Sequence, residues 1–130
     1  MGKSFVEYRG RGFWSWDGYL EHVLALVAAK LSDSSGKDWK AQLRDHWNLQ
    51  SSGIFLGWIH PQLDDFLTTD ERRNELVRVL DDIVSQPNLR REARETIMLL
   101  RRLLLGELVT NASSPIDYMV SGDFPYDWSV

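Results

Sequence analysis

The sequence predicts an all-α protein: a single-domain bundle of about four main helices, with an irregular N-terminal arm and an irregular C-terminal tail. Three observations favour this fold class. Apolar residues recur at the three- and four-residue spacing of a helical face along most of the chain. The interruptions are short and rich in Gly, Pro or Ser. No internal repeat or linker divides the 130 residues, a length that suits one domain. We therefore expect one helical domain over residues 1–130, with the arm at residues 1–15 and an acidic-aromatic tail at residues 107–130.

The first helix is predicted over about residues 16–31. Ser15 is a suitable N-cap, because its hydroxyl can accept a backbone hydrogen bond. With that cap, Trp14 and Tyr19 occupy the two positions of a hydrophobic staple, and Asp17 lies in the first turn, where the helix dipole favours an anion. Five apolar side chains share one helical face: Leu20, Val23, Leu24, Val27 and Leu31.

A second helix is predicted over about residues 37–48, where three large apolar residues are spaced four apart: Trp39, Leu43 and Trp47. The apolar segment at residues 53–61 is bracketed by glycines and closed by proline, which makes a full helix unfavourable. It is interpreted as a buried loop, or as one helical turn that begins at Pro61 and ends near Leu67.

Two further helices are predicted over about residues 69–85 and 88–105. The first begins with a capping box at residues 68–71 and is stopped by Pro87. The second ends at Gly106, a favourable C-terminal cap. The short break between them predicts an antiparallel helical hairpin.

The charge of the chain is concentrated in the tail. The net charge is −4, from 19 acidic and 15 basic residues. Residues 107–130 contain four acids and no Lys or Arg, so residues 1–106 are balanced at 15 of each sign. Such a chain lacks the general affinity for phosphate backbones that basic domains have. It suits a basic protein partner.

The composition also indicates the cellular compartment in which the protein is expected. The chain has no cysteine, which removes disulfides, thiolate chemistry and zinc-thiolate sites. The N-terminus lacks the apolar core of a signal peptide, and no apolar run approaches the length of about 20 residues that spans a bilayer. We expect a cytoplasmic protein that makes no membrane contact.

No catalytic or metal-binding motif is evident. The three histidines do not follow a known ligand spacing, the serines do not form a nucleophile elbow, and the Arg-Gly-Arg-Gly segment lacks the lysine of a phosphate loop. We therefore expect no enzymatic activity, no metal and no cofactor. A small enzyme that uses the neighbouring Glu21 and His22 is the third-ranked hypothesis.

The segment Tyr-Arg-Gly-Arg-Gly-Phe-Trp-Ser-Trp-Asp at residues 8–17 supports a nucleic-acid alternative. Arginines beside aromatic rings can hold a nucleic-acid backbone and stack on its bases. Arg9 and Arg11 are the candidate contacts, but Glu7 and Asp17 flank them. The overall acidity makes this the alternative rather than the main hypothesis.

Protein binding fits the composition best, because Trp, Tyr and Arg are the residues most often found at interface anchors. The large rings on the helices are expected in the core. The tail combines rings and acids outside the periodic segments, and five of its residues are the expected partner contacts: Asp117, Asp123, Tyr126, Asp127 and Trp128.

Residues 8–17, together with Tyr19, Leu20, Glu21 and the apolar helix to Leu31, resemble the N-terminal signature of small bacterial immunity proteins from polymorphic toxin systems. The resemblance covers the first quarter of the chain. It implies a non-catalytic cytosolic protein that binds a cognate toxin or effector protein and occludes its active site. These families are diverse, so no functional residue is carried over, and the oligomeric state stays open.

Overall fold

The computed structural model describes residues 3–31, 38–52 and 59–107. Two strands precede five helices: β1 (Lys3–Tyr8), β2 (Arg11–Trp16), α1 (Asp17–Lys30), α2 (Trp39–Gln50), α3 (Leu63–Phe66), α4 (Asp70–Val84) and α5 (Arg91–Leu104). The prediction of an all-α fold is therefore only partly right. The protein is mostly helical, but the expected N-terminal arm is a β-hairpin.

The hairpin pairs β1 with β2 in antiparallel register, with Lys3 opposite Trp16 and Tyr8 opposite Arg11. The two-residue loop consists of Arg9 and Gly10, whose φ angles are 51° and 79°. Positive φ at both central residues is what a type I′ turn requires, and this turn matches the twist of paired strands. The sequence pattern was obscured because Arg stands at a position where Asn, Asp or Gly is usual.

The two faces of the hairpin bury different side chains. Val6 and Phe13 are paired across the strands and belong to the main core. On the other face, Phe5 and Trp14 form an edge-to-face pair with ring centroids 5.4 Å apart, an arrangement favoured by the ring quadrupoles. Gly12 lies close to this pair. A Cβ at that position would be only 2.6 Å from Phe5 Cζ. The hairpin thus needs a glycine here for space.

Helix α1 begins at Asp17, close to the predicted residue, but its start is built differently. Ser15 lies within β2 and its hydroxyl donates to the Trp16 carbonyl at 3.1 Å, while Trp16 occupies the N-cap position. Trp14 is in the strand rather than in a staple with Tyr19. The predicted cap and staple are wrong because the strand continues directly into the helix.

Helix α2 begins after its N-cap residue, Asp38, which accepts the Ala41 N–H at 2.9 Å. A side chain near the C-terminal end of α2 holds the connection to α4. The Trp47 indole N–H donates to the Pro61 carbonyl at 2.9 Å. The single-turn alternative for residues 61–67 is right in kind, but α3 begins two residues later than predicted, at Leu63, after Gln62 in the left-handed region. Residues 53–58 of the apolar segment lie outside the described residues.

Helices α4 and α5 form the predicted antiparallel pair. Thr69 caps α4 by accepting the Arg72 N–H, one residue later than the predicted box. Arg101 bonds Asp81 and Arg94 bonds the Val84 carbonyl, which aligns the two helices in opposite directions. They pack with α1, which also contacts α2 and β2.

The main hydrophobic core collects side chains from both strands and all five helices. Its fully buried members include Val6, Phe13, Leu20, Leu24, Leu43, Trp47, Leu63, Leu76, Leu80, Ile97 and Leu100. Among the described residues, no helix is long and apolar enough to cross a bilayer.

Candidate functional site

The turn of the hairpin is attached to α3 and α4 through Arg9. Its backbone N–H donates to Asp64 Oδ1 at 3.0 Å, and its Nη2 donates to Asp70 Oδ1 at 2.9 Å. The guanidinium carbon also lies 5.0 Å from the centroid of the Tyr8 ring, a cation–π distance. The left-handed backbone of Arg9 therefore directs its side chain to the N-terminal end of α4.

Arg11 attaches the other side of the turn to the end of α5. Its Nη1 donates to the Gly106 carbonyl at 2.9 Å. Gly106 itself has a φ of 72°, and the amides of Gly106 and Glu107 donate to the carbonyls of Leu103 and Arg102. This is the Schellman arrangement, so the predicted glycine cap is confirmed.

Between these two attachments lies an open cavity of about 420 Å³, which we name the arginine pocket. Its lining residues are Tyr8, Arg9, Arg11, Arg73, Leu103, Leu104, Leu105 and Gly106. Three arginines, from the turn, β2 and α4, thus line one cavity together with the C-terminal end of α5. Among its lining residues there is no carboxylate.

A second surface, the acidic groove, lies along β1 and α3. It is a shallow cavity of about 180 Å³ that includes the exposed carboxylates of Glu7, Asp64 and Asp65. Asp64 and Asp65 lie in the first turn of α3. The exposed Asp70 and Glu71 follow in the first turn of α4, where Asp70 is paired with Arg9 and Arg73.

The electrostatics of the two surfaces meet at Arg9. Its hydrogen bond lowers the pKa of the Asp70 carboxyl below the ordinary value, and the charge of Arg73 adds to this effect. The same hydrogen bond raises the pKa of Arg9. Burial raises the pKa of the Tyr8 hydroxyl, against the smaller opposing effect of Arg9 and Arg73. Arg9 therefore stays charged while it separates the arginine pocket from the acidic groove.

Arg9 and Arg11, the candidate contacts of the nucleic-acid hypothesis, lie together at one hairpin turn. Each has a hydrogen-bond partner within the chain.

Glu21 and His22, the residues of the enzyme hypothesis, are consecutive on α1, so their side chains point about 100° apart around the helix. Within the described ranges, no group of three or more His, Cys, Asp or Glu residues could hold a metal ion.

The five expected partner contacts of the tail, Asp117, Asp123, Tyr126, Asp127 and Trp128, lie outside the described residues. Sequence reasoning missed Arg73, Asp64 and Asp70. Asp70 is 61 residues from its partner Arg9. No local pattern could indicate that contact, because it depends on where the hairpin packs.

No protein-family model, curated protein or solved structure matches the chain.

Proposed function

We propose that the protein is a non-catalytic binding protein that neutralises a cognate bacterial toxin or effector protein by occluding its active site. The observation that carries this proposal is the acidic groove. Glu7, Asp64 and Asp65 expose their carboxylates around one shallow cavity, and the exposed Glu71 lies in the first turn of α4. Such a surface is complementary to a basic cleft.

Electrostatics would act mainly on the rate of association. Grouped carboxylates attract an oppositely charged partner and orient it before contact, which raises the association rate at low salt. A toxin that acts on nucleic acid needs a basic active-site cleft, since it must hold phosphate groups. A rigid acidic surface in that cleft would exclude the substrate.

The tail belongs to the same proposal. Its expected contacts, Asp117, Asp123, Tyr126, Asp127 and Trp128, add three carboxylates and two aromatic anchors to the binding surface. The acidic groove would supply charge on the folded domain. The tail would supply the large rings that contribute most of the energy at many interfaces.

The nucleic-acid alternative has weaker support. A protein that tracks a nucleic-acid strand uses a continuous basic groove. Here the backbone of Arg9 is bonded to Asp64 of the acidic groove, whose carboxylates would repel a phosphate backbone. A nucleic-acid strand that continued past the arginines in this direction would therefore meet unfavourable charge.

The test begins with affinity capture from the native host, using the full chain and a triple variant that carries Glu7→Gln, Asp64→Asn and Asp65→Asn. The captured protein is then expressed in a test bacterium. We expect it to arrest growth, and we expect co-expression of the wild-type chain to restore growth. The triple variant should bind with an association rate lower by about tenfold or more at low salt.

A control variant carries Asp82→Asn and Glu92→Gln, and so removes two charges instead of three. Asp82 and Glu92 are exposed carboxylates at the opposite end of α4 and at the start of α5. Asp82 is twelve residues beyond Asp70, about 18 Å along the helix. This control should bind like the wild type. A captured partner that is harmless to cells would contradict the proposed function, and equal binding by the triple variant would remove the acidic groove from the interface.

A further inference from the structure

We propose that the arginine pocket binds the phosphate group of a small phosphorylated molecule. This inference goes beyond the proposed function and does not depend on it. It concerns the other side of the hairpin turn, where positive charge is grouped instead of negative charge.

The charge of the pocket is the first argument. Arg9, Arg11 and Arg73 bring three positive charges to one cavity. Asp70 bonds Arg9 and lies 3.5 Å from Arg73, so it offsets one of them. A dianion such as a phosphate monoester would neutralise the remaining two charges, whereas a single carboxylate would leave one.

The donors that remain on the arginines are the second argument. A guanidinium group has five N–H donors in a planar fork that fits two oxygens of a phosphate. Arg11 places one nitrogen, Nη1, on the Gly106 carbonyl, and Arg9 places one nitrogen, Nη2, on Asp70. Arg73 places Nε and Nη2 on the Asn74 side-chain oxygen, so Arg9 and Arg11 retain more donors than Arg73 does. These bonds hold the three groups in position. Positioned cations lose less conformational entropy when they bind an anion.

The backbone of Arg9 is the third argument. Its φ of 51° lies in the left-handed region, which is costly for a residue with a Cβ and is normally given to Gly, Asn or Asp in this type of turn. Backbone strain of this kind concentrates at functional sites. An arginine in place of asparagine brings a cation to the cavity that the turn itself does not require.

The size and lining of the cavity indicate the ligand class. A volume of about 420 Å³ falls in the range of small-molecule sites, roughly 300 to 1,000 Å³, and exceeds what a free phosphate ion fills. Leu103, Leu104 and Leu105 also line the cavity, and Leu105 is the one of the three that is partly exposed. The ligand would therefore carry its phosphate to the arginines and place a small apolar or ring-shaped group against Leu105.

The experiment uses the full chain, with inorganic phosphate as the probe and amide NMR spectra as the readout. Sodium chloride at equal ionic strength is the reference. We expect saturable shifts at the amides of Arg9, Gly10, Arg11 and Gly106 with phosphate only. Acetate should give weaker shifts, because it is a monoanion. The absence of saturable shifts, or equal shifts with chloride, would overturn the proposal.

Variants separate binding from folding. Arg11→Gln and Arg73→Gln should each weaken phosphate binding about tenfold, the loss of one charge-assisted hydrogen bond. Arg11→Lys keeps the charge but lacks the planar fork, so its affinity for phosphate should lie between those of the wild type and Arg11→Gln. The control Arg91→Gln removes an exposed arginine at the start of α5 and should bind like the wild type. Circular dichroism checks that each variant is folded. If Arg11→Gln does not fold, the phosphate affinities of Arg73→Gln and Arg11→Lys test the proposal instead.

A single-stranded RNA oligomer provides the last arm. Tighter binding per phosphate to RNA than to free phosphate, with a steep dependence on salt, is the property of a nucleic-acid site. That result would overturn the proposal of a small-molecule site. Equal weakening by Arg91→Gln would also overturn it, since the effect would then come from net charge alone.

Discussion

The guanidinium group of Arg11 donates a hydrogen bond to the carbonyl oxygen of Gly106 at 2.9 Å, across 95 residues of sequence. This bond joins the N-terminal hairpin to the last turn of α5. It also gives a partner to a carbonyl beyond the helix end, where backbone acceptors lack intrahelical donors. Strands from the start of the chain thereby complete a helix at the far end of the described region.

Replacing Arg11 with Gln should lower the free energy of unfolding by about 1 kcal/mol, the net value of one such hydrogen bond. The amides of Gly106 and Glu107 should exchange faster with solvent, because the end of α5 loses its attachment. Urea unfolding and hydrogen exchange measure the two effects. Arg102→Gln, the same change at an exposed position in the last turn of α5, should have a smaller effect; an equal effect would show that charge alone is responsible.

Two glycine substitutions should act in opposite directions. A Cβ at Gly12 would overlap the Val6 carbonyl oxygen and lie 2.6 Å from Phe5 Cζ, so Gly12→Ala should lower the free energy of unfolding by about 1–3 kcal/mol. Gly18 lies in α1 with nothing within 4 Å of its Cβ position. Gly18→Ala should therefore raise the free energy of unfolding by about 0.5 kcal/mol, because alanine loses less backbone entropy in a helix. Thermal unfolding of the pair checks both signs, and a stable Gly12→Ala variant would contradict the close packing.

Ser4 and Ser15 face each other across the hairpin and both are buried, yet their partners differ. The Ser4 hydroxyl donates to Asp17 Oδ1 at 2.5 Å and accepts the Ile59 N–H at 2.9 Å. Ser4→Ala should lower the free energy of unfolding by about 1–3 kcal/mol, because it leaves the buried Ile59 N–H without its acceptor.

The matched substitution Ser15→Ala removes a bond to the adjacent Trp16 carbonyl only. Its effect on urea unfolding should be smaller than that of Ser4→Ala. Equal losses for the two variants would mean that the burial of a hydroxyl matters here, rather than the link between β1, α1 and residue 59.

Alkaline pH should destabilise the protein through Tyr8. Burial raises the pKa of its hydroxyl above the ordinary 10.0, so the folded protein binds this proton more tightly than the unfolded chain does. The stabilisation is complete below pH 10.0 and is lost as the pH rises from there through the pKa of the folded state. Tyr8→Phe should remove this slope, as measured by urea midpoints across that range.

Below pH 10.0, Tyr8→Phe should have a free energy of unfolding lower than that of the wild type by a constant amount, about 0.5 kcal/mol. The loss is small because the bond from the Tyr8 hydroxyl to the Leu67 carbonyl is long, at 3.4 Å. An alkaline slope that persists in Tyr8→Phe would assign it to another group.

Local chemistry accounts for the parts of the fold that were predicted correctly. The apolar periodicity of α1, α4 and α5 places their faces without knowledge of the partner, and Gly106 ends α5 because a left-handed residue is needed there. The hairpin was missed because Arg9 occupies a turn position that sequence rules assign to other residues. The predicted cap at Ser15 was then wrong, since that residue belongs to β2.

The candidate site depended on contacts between distant segments. Sequence alone determined that the chain is mainly helical and that the Trp47 ring lies in the core. It also identified Arg9 and Arg11 as two cations near the N-terminus with no evident structural role. Only the tertiary structure decided what surrounds them: Asp70 and Arg73 on one side, the end of α5 on the other. Helical periodicity is a property of neighbours in sequence, whereas an ion pair across 61 residues exists only once the hairpin has packed on the helices.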